Sequence, residues 1–572
     1  MLDNPADKYL PAAIIPFPQR TWPSKVLTQA PRWCSTDLRD GNQALANPMN
    51  KERKLKFFHH LVECGFKEIE VAFPSASQTD FDFVRCLIEE RLIPDDVTIQ
   101  VITQSRADLI ERTVAALNGA PKAIIHLYNA TAPLFRELVF EQDKQAILEL
   151  AVKGVRQIKA LCDAHPQTQW TLEYSPETFN FTEPEFALEI CEAVAAVWQP
   201  NQQRPLILNL PTTVECNTPN VFADQIEHFI RTFSCLQFVT ISVHPHNDRG
   251  TGVASAELAM LAGATRIEGC LFGNGERTGN ADLVTIALNL YSQGIDPQLR
   301  FSDIRRTVEI VEECNELPVH PRHPYGGRLV FTAFSGSHQD AIKKGFARHH
   351  QAPQPVWSIP YLPLDPMDLG CNYEEVIRVN SQSGKSGAAW LLQENHGLSL
   401  PKMLQVDLSQ RVKRHTDQTG REISLAELWQ LFRQAYGLTP SPEMCLMSYQ
   451  SQPTLAGQSI ESRLRFNEEE ILCSGVSNGL LSAMLNALTK QFGVASNIVD
   501  YHEHTLGSHT QSKAVTYVQL QSQSSNVNHF GVAIEEDATK ASLQALIICS
   551  KRRIVRAPLR PYIRSETARY GF

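Results

Sequence analysis

Short runs of β-branched and aromatic residues recur through the first half of the chain, at 33–37, 68–74, 98–104, 122–129, 169–175, 205–212, 237–245 and 265–272. Most are near-continuous apolar runs, the pattern of strands buried on both faces. Between them lie segments whose apolar positions repeat at helical spacing, among them 50–64, 141–163, 183–197, 219–233 and 251–263. Strands alternating with helices in this way predict an α/β fold, a (β/α)8 TIM barrel over 33–325 that follows an N-terminal arm at 1–32. A doubly wound open sheet is the alternative. No GxGxxG follows the first strand to favour it.

The pattern then changes twice. HPRHPYGG and WSIPYLPLDP are rich in Pro, Gly and aromatic residues, with a helical stretch around 336–346 between them. This predicts an ordered, mostly helical connector over 326–437, in which Ser424 and Glu427 form a capping box. Over 438–572 three strand-like runs (444–450, 461–466, 470–475) precede a helix at 479–491. Three more (497–504, 513–521, 529–535) precede a helix at 539–551. The expectation is an α+β domain of two βββα units, with a single non-repeated α+β domain as the alternative.

Composition narrows the class. Of 572 residues, 43% are hydrophobic and 20% charged, enough to bury large cores. A net charge of −9 argues against a general binder of nucleic acid or anionic membrane. The thirteen cysteines form no CxxC pair, which fits a reducing compartment better than a disulfide framework. The stretch MLDNPADKYLPAAIIPFPQRTWPSK has neither the basic start nor the apolar core of a signal peptide, and no apolar run has membrane-helix length. A cytoplasmic location is expected.

Barrel enzymes carry their chemistry at the carboxyl ends of the strands. The polar residues there are Arg39 and Asp40 after the first strand, His126 on the fourth, and Ser175 and Glu177 on the fifth. Thr213 follows the sixth, and His244 and His246 close the seventh. After the eighth comes the glycine-rich run Gly273–Asn280. Residues i and i+2 of a strand share a face, so both imidazoles can reach one ion. Asp40 would complete a two-histidine, one-carboxylate set, and Asn280 could add a carbonyl oxygen. Such ligands suit Zn²⁺, Mn²⁺ or Mg²⁺. The plainer alternative is that the histidines are rim residues bonded to their neighbours. Arg39 would stabilise charge developing on oxygen. Glu177 and Ser175 could orient substrate or merely cap a strand end, and His126 could be a core histidine. Gly273, Gly275 and Gly279 would let a phosphate or a cofactor chain approach the backbone, or simply form a turn.

RDGNQ, VHPHND and GNGERTGN, in these places, resemble the Claisen-condensing metallolyases. The longer strings NLPTTVECNTPN, HPYGGRLVFTAFSGSHQDAIKKG, PYLPLDPMDLG and YEEVIRVNSQSGKSG resemble the larger form of the 2-isopropylmalate synthase family. The resemblance implies condensation of acetyl-CoA with a short 2-oxo acid, 2-oxoisovalerate, in leucine biosynthesis. It implies Asp40, His244, His246 and Asn280 around a divalent metal, with K⁺ as a further candidate ion. Arg39, His126, Ser175, Glu177 and Thr213 would surround the 2-oxo acid, and Ile102 would line the pocket for its branched end. His338 and Tyr373, in the connector, would complete the active site of a partner subunit in a homodimer, with His338 as general base and Glu177 second. DYHEHTLGSHTQSKAVTYV resembles the family's leucine-binding segment, which places Tyr501, Thr505, Ser512 and Ala514 at an effector pocket. Thr505 and Ser512 depart from the alanines the family pattern leads one to expect. A sibling synthase using pyruvate or 2-oxoglutarate, or a non-catalytic effector-binding protein, are the competing readings.

Overall fold

The computed structural model describes residues 8, 15–351, 356–371, 385–439, 444–467, 469–493, 495–507, 512–523 and 527–554. The chain divides into two compact units, Met1–Phe331 with Leu364–Cys371 and Thr332–Pro363 with Asn372–Phe572.

The first unit is the expected barrel. Its eight parallel strands are β1 (Arg32–Ser35), β2 (Glu68–Ala72), β3 (Thr98–Gln104), β4 (Lys122–Ala130), β5 (Gln169–Glu177), β6 (Leu206–Pro211), β7 (Val239–His244) and β8 (Arg266–Gly269). They pair in sequence order, and β1 closes on β8 with Arg32 beside Arg266. Helices Lys51–Glu63, Lys144–Asp163, Pro184–Trp198, Pro219–Thr232 and Gly252–Ala262 fall within a few residues of the predicted segments. Several begin on side-chain caps; Asn50, Ser77 and Asp143 each accept a backbone N–H of the following turn. Ile69, Val71, Ile99, Val101, Leu172 and Ile267 are fully buried along the strands.

The positions between them are not apolar, which corrects the reading of the strands as near-continuous apolar runs. Glu68 and Glu70 on β2, Gln100 on β3, Glu173 on β5, Asn209 on β6, Ser242 on β7, and Arg266 and Glu268 on β8 are all buried. They meet across the barrel. The Arg266 guanidinium donates to Glu68 Oε2 (2.6 Å), Gln100 Oε1 (2.8 Å), Ser242 Oγ (2.9 Å) and Glu268 Oε1 (2.9 Å). It also lies 3.2 Å from Glu173. Buried charge is tolerated only where it is paired and hydrogen-bonded, so this network demands a fixed strand register.

The second unit carries helices Gly336–Gln351, Lys385–His396, Lys402–Thr419 and Leu425–Tyr436, the last opened by the predicted Ser424–Glu427 capping box. Two antiparallel sheets follow: β9 (Met444–Thr454), β10 (Gly457–Phe466) and β11 (Glu469–Ser477), then β12 (Ser496–Leu506), β13 (Lys513–Ser522) and β14 (Asn528–Glu535). Helices Leu480–Phe492 and Ala538–Ile554 close the two βββα repeats, and side chains of both repeats share one core. The repeats agree in detail. A Cβ at Gly475 of β11 would meet Ala483 O at 2.3 Å, and one at Gly531 of β14 would meet Ala545 O at 2.2 Å. Each helix therefore rests on a glycine of the last strand of its own sheet. Among the described residues no helix is long and apolar enough to cross a membrane, and all thirteen cysteines are free.

Replacing Arg266 by Met strands buried carboxylates, a change of the kind that costs about 3–5 kcal/mol. The expected result is a clearly lower denaturation midpoint for the barrel, measured by urea titration. An unchanged midpoint would mean that the network is not what holds the strands.

Candidate functional site

Strand ends far apart in sequence meet at one rim. Arg39, Asp40, Ile102, His126, Ser175, Glu177, Thr213, His244 and His246 line a single cavity of about 940 Å³. Asp40 comes from a turn with π-helical bonding, Asp37–Gly41, immediately after β1. His244 ends β7, and His246 sits two residues on, bridged to Asn280. Ligand atoms of Asp40, His244 and His246 lie within 4.8 Å of one another, and all three residues are buried. Asp40 Oδ2 is 3.4 Å from His244 Nε2 and 3.9 Å from His246 Nε2.

These residues fit a divalent cation. Asp40 Oδ2 and His246 Nδ1 are buried with no hydrogen-bond partner, an arrangement that costs free energy unless something else satisfies them. Burial alone would raise the Asp40 carboxyl, but Arg39 and His244 hold it well below the usual carboxylate range. Burial opposes charge on His244, yet the neighbouring carboxylates of Asp40 and Glu268 outweigh it and lift its pKa to about 10. His246 is pushed down to about 4 by burial and by the charge on His244. The site thus offers the Asp40 carboxylate to a cation, with the charge of Glu268 behind His244.

The loop after β8 delivers Asn280. Its Oδ1 lies 2.8 Å from His244 Nε2, and its amide nitrogen donates to Asn274 O at 3.0 Å. The three glycines are explained by this loop's own packing. A Cβ at Gly275 would fall 2.3 Å from Asn280 Nδ2, and one at Gly279 would fall 1.9 Å from Gly273 O. Gly279 and Gly273 also take φ of 104° and 73°. The same loop gives Glu276 and Arg277 to the cavity wall.

On the opposite wall, His126 Nδ1 donates to Glu70 Oε2 (2.8 Å), and Ser175 Oγ lies 2.7 Å from His126 Nε2. A carboxylate accepts only, so Glu70 fixes the tautomer and the Ser175 hydroxyl donates to the ring. Arg39 bonds Glu70 and, at 2.7 Å, Asp40 Oδ1, which aims its guanidinium along the rim. Burial raises the Glu177 carboxyl above its ordinary pKa, with Arg39 opposing. Thr213 adopts a left-handed conformation (φ 56°), and its hydroxyl accepts Thr178 N–H at 2.9 Å. A second group of ligand-type side chains, Glu70, His126 and Glu268, is already saturated: the Gln100 amide donates to both carboxylates at 2.6 and 2.9 Å.

Other expected residues lie elsewhere. His338 is exposed on the helix Gly336–Gln351, in the second unit, with its ring stacked on Tyr361 at 3.9 Å. Tyr373 lies outside the described residues. Thr505 on β12 pairs directly with Ala514 on β13, and Ser512 stands just before β13. The Tyr501 hydroxyl donates to Glu503 Oε2 at 2.6 Å and lies 2.9 Å from Ser542 Oγ. The residues missed from the sequence are Glu70, Gln100, Asn209 and Glu268. The available signal was charged or amide side chains at alternate positions, as in Glu68-Ile-Glu70 and Arg266-Ile-Glu268.

Residues 30–311 match the HMGL-like family. Residues 328–393 match the alpha-isopropylmalate synthase post-catalytic domain, and residues 422–553 the LeuA allosteric (dimerisation) domain. A 2-isopropylmalate synthase of Marinomonas sp. (strain MWYL1) is 70% identical over 549 residues, 96% of this chain and 98% of that protein. The chain belongs to the 2-isopropylmalate synthase family. Another 2-isopropylmalate synthase, from Cupriavidus taiwanensis, is 55% identical over 547 residues, 96% of this chain and 95% of its own. Among solved structures, an HMG-CoA lyase is 16% identical and aligns over 52% of this chain and 94% of its own with a TM-score of 0.41; the barrel assignment rests on the strand pairing alone. Family membership makes this a condensing transferase with a barrel, a connector and a C-terminal α+β domain, and three of its rim side chains have the geometry of a metal centre.

Asp40→Asn is expected to lower affinity for a divalent ion by more than the roughly 10- to 100-fold typical of losing a partner behind a ligand, while leaving the circular dichroism spectrum unchanged. Calorimetric titration with Mn²⁺ measures it. Wild-type affinity in the variant would remove Asp40 from the ligand set.

Proposed function

We propose that the chain condenses acetyl-CoA with 2-oxoisovalerate and water, giving 2-isopropylmalate and coenzyme A, as the names of its relatives suggest for them. The observation that carries this reading is the convergence of Arg39, Asp40, His126, Ser175, Glu177, His244 and His246 on one cavity. A divalent cation held by Asp40, His244 and His246, with Asn280 alongside, supplies a Lewis acid for the keto oxygen and carboxylate of a 2-oxo acid. Mg²⁺, Mn²⁺ and Zn²⁺ are the candidates, with K⁺ as an accessory ion.

The side chains then divide the work. The hydroxyls of Ser175 and Thr213 and the ring of His126 hold the 2-oxo acid, and buried Ile102 faces its branched end. His338, from a second copy of the chain, takes a methyl proton from acetyl-CoA, and the family resemblance assigns Tyr373 to the same site. Glu177 is the alternative base, since burial moves its pKa toward the range where a carboxyl exchanges protons. The methyl carbon bonds to the keto carbon, and the keto oxygen becomes a hydroxyl while Arg39 stabilises its developing charge. Water cleaves the thioester and releases the thiol, which makes the sequence favourable overall.

The match to a dimerisation domain supports a homodimer, and the same region supports leucine as effector at Tyr501, Thr505, Ser512 and Ala514. Thr505 and Ser512 add hydroxyls to a pocket for an apolar side chain, which weakens it where they find no partner. Thirteen free cysteines support a reducing, cytoplasmic setting.

Coenzyme A release, followed by thiol titration, tests the substrate. The expected order of kcat/KM places 2-oxoisovalerate above pyruvate and 2-oxoglutarate. One carbon in an apolar pocket is worth about 1–3 kcal/mol and pyruvate lacks two of them, so it should fall roughly 30-fold or more below 2-oxoisovalerate. A preference for pyruvate or 2-oxoglutarate would assign the chain to a sibling reaction, and no 2-oxo-acid-dependent release would end the catalytic reading.

A further inference from the structure

The two histidines of the metal centre are held differently. His246 has its Nδ1 buried without a hydrogen-bond partner, while its Nε2 lies 3.9 Å from Asp40 Oδ2. His244 is gripped from behind: its Nδ1 donates to Glu268 Oε2 at 2.8 Å, and its Nε2 faces Asp40 and Asn280. The contact follows from the strand register, because Ser242 and Val243 of β7 pair with Arg266 and Ile267 of β8, so that the next residues, His244 and Glu268, lie side by side at the rim.

Glu268 itself has no freedom to turn. Oε2 accepts from His244 Nδ1 and from Asn209 Nδ2 (2.9 Å); Oε1 accepts from Gln100 Nε2 (2.9 Å) and Arg266 Nη1 (2.9 Å). Four donors occupy the four lone-pair positions of one carboxylate with no exposed surface. Those donors come from β3, β6, β7 and β8, and Arg266 extends the hold to Glu68 on β2. A carboxylate cannot donate, so the ring nitrogen facing it must carry the proton.

We infer that Glu268 is the positioning residue of the metal centre: it fixes the His244 ring and keeps its proton on Nδ1, so that Nε2 is the nitrogen offered to the ion. The inference rests on the metal reading of the site above. Glu268 touches neither ion nor substrate and acts through His244. Its partners also reach the substrate wall, since Asn209 donates to Ser175 Oγ at 3.1 Å and Gln100 to Glu70 at 2.6 Å. One side chain therefore sets the metal ligand in register with the groups that hold the 2-oxo acid.

The test is a binding measurement on the full chain with Zn²⁺ alone, for wild type, Glu268→Gln and His244→Ala. A Gln amide can turn an N–H toward His244 Nδ1 and force the proton to Nε2. Glu268→Gln is therefore expected to bind Zn²⁺ about 10- to 100-fold more weakly, and His244→Ala more weakly still. If His244→Ala loses affinity while Glu268→Gln keeps the wild-type value, the role of Glu268 is overturned and the metal reading stands. If His244→Ala binds like wild type, the metal reading itself fails. A measurement on unmutated protein guards against a variant that does not fold. With ¹⁵N-labelled histidine and bound Zn²⁺, the His244 signals, assigned by their loss in His244→Ala, should show a protonated Nδ1 and a metal-bound Nε2. A protonated Nε2, or metal bound through Nδ1, would overturn the proposal.

Discussion

An arginine with no exposed surface lies inside the barrel among Glu68, Glu173 and Glu268, and the rest of the site depends on that pairing. Burying a guanidinium is tolerable only if every donor finds an acceptor and some carboxylates stay charged. Arg266 holds Glu268 well below its ordinary pKa against its burial, whereas burial and the charge on Glu268 push Glu173 well above its own. One cation thus faces a limited number of anions, and strands β2, β3, β5, β7 and β8 are tied in register around it. A slip of one residue on any of these strands would turn its polar set outward into the helices.

That register is also what makes the rim chemical. The side chains above the network are the upward continuation of the same alternation: Glu268 carries His244, Glu70 carries His126 and Arg39, and Asn209 carries Ser175. Each of these rim side chains is oriented by a buried polar partner on another strand, as accurate positioning requires. The loop after β8 adds Asn280 through backbone packing so close that no side chain fits at Gly275 or Gly279. The glycines shape that loop.

Much of this was legible in the residues. The period of the strands and helices gave the barrel, and i,i+2 geometry together with strand-end position pointed to Asp40, His244 and His246, whose ligand atoms lie within 4.8 Å of one another. The two βββα repeats appeared as strand and helix patterns, and Gly475 and Gly531 show that the likeness extends to single packing contacts. The polar interior was not legible. Glu70, Gln100 and Glu268 become meaningful only when strands distant in sequence are wrapped into a ring, because each finds its partner on another strand. Glu173 was hidden for the same reason, lying in a run, QWTLEYS, that otherwise reads as a buried strand. The roles of His338 and Tyr373 came from resemblance alone, since no local pattern connects a residue of the connector to a barrel rim.

Two imidazoles and a carboxylate at the barrel rim have the geometry to hold a divalent ion. X-ray absorption at the zinc edge, on full-length protein loaded with one equivalent of Zn²⁺, tests it most directly. Asp40, His244 and His246 as ligands give a first shell of nitrogen and oxygen at about 2.0–2.2 Å, with the multiple-scattering pattern of two histidines and no sulfur, despite thirteen cysteines in the chain. A shell containing sulfur at about 2.3 Å, or one without two imidazoles, would contradict it.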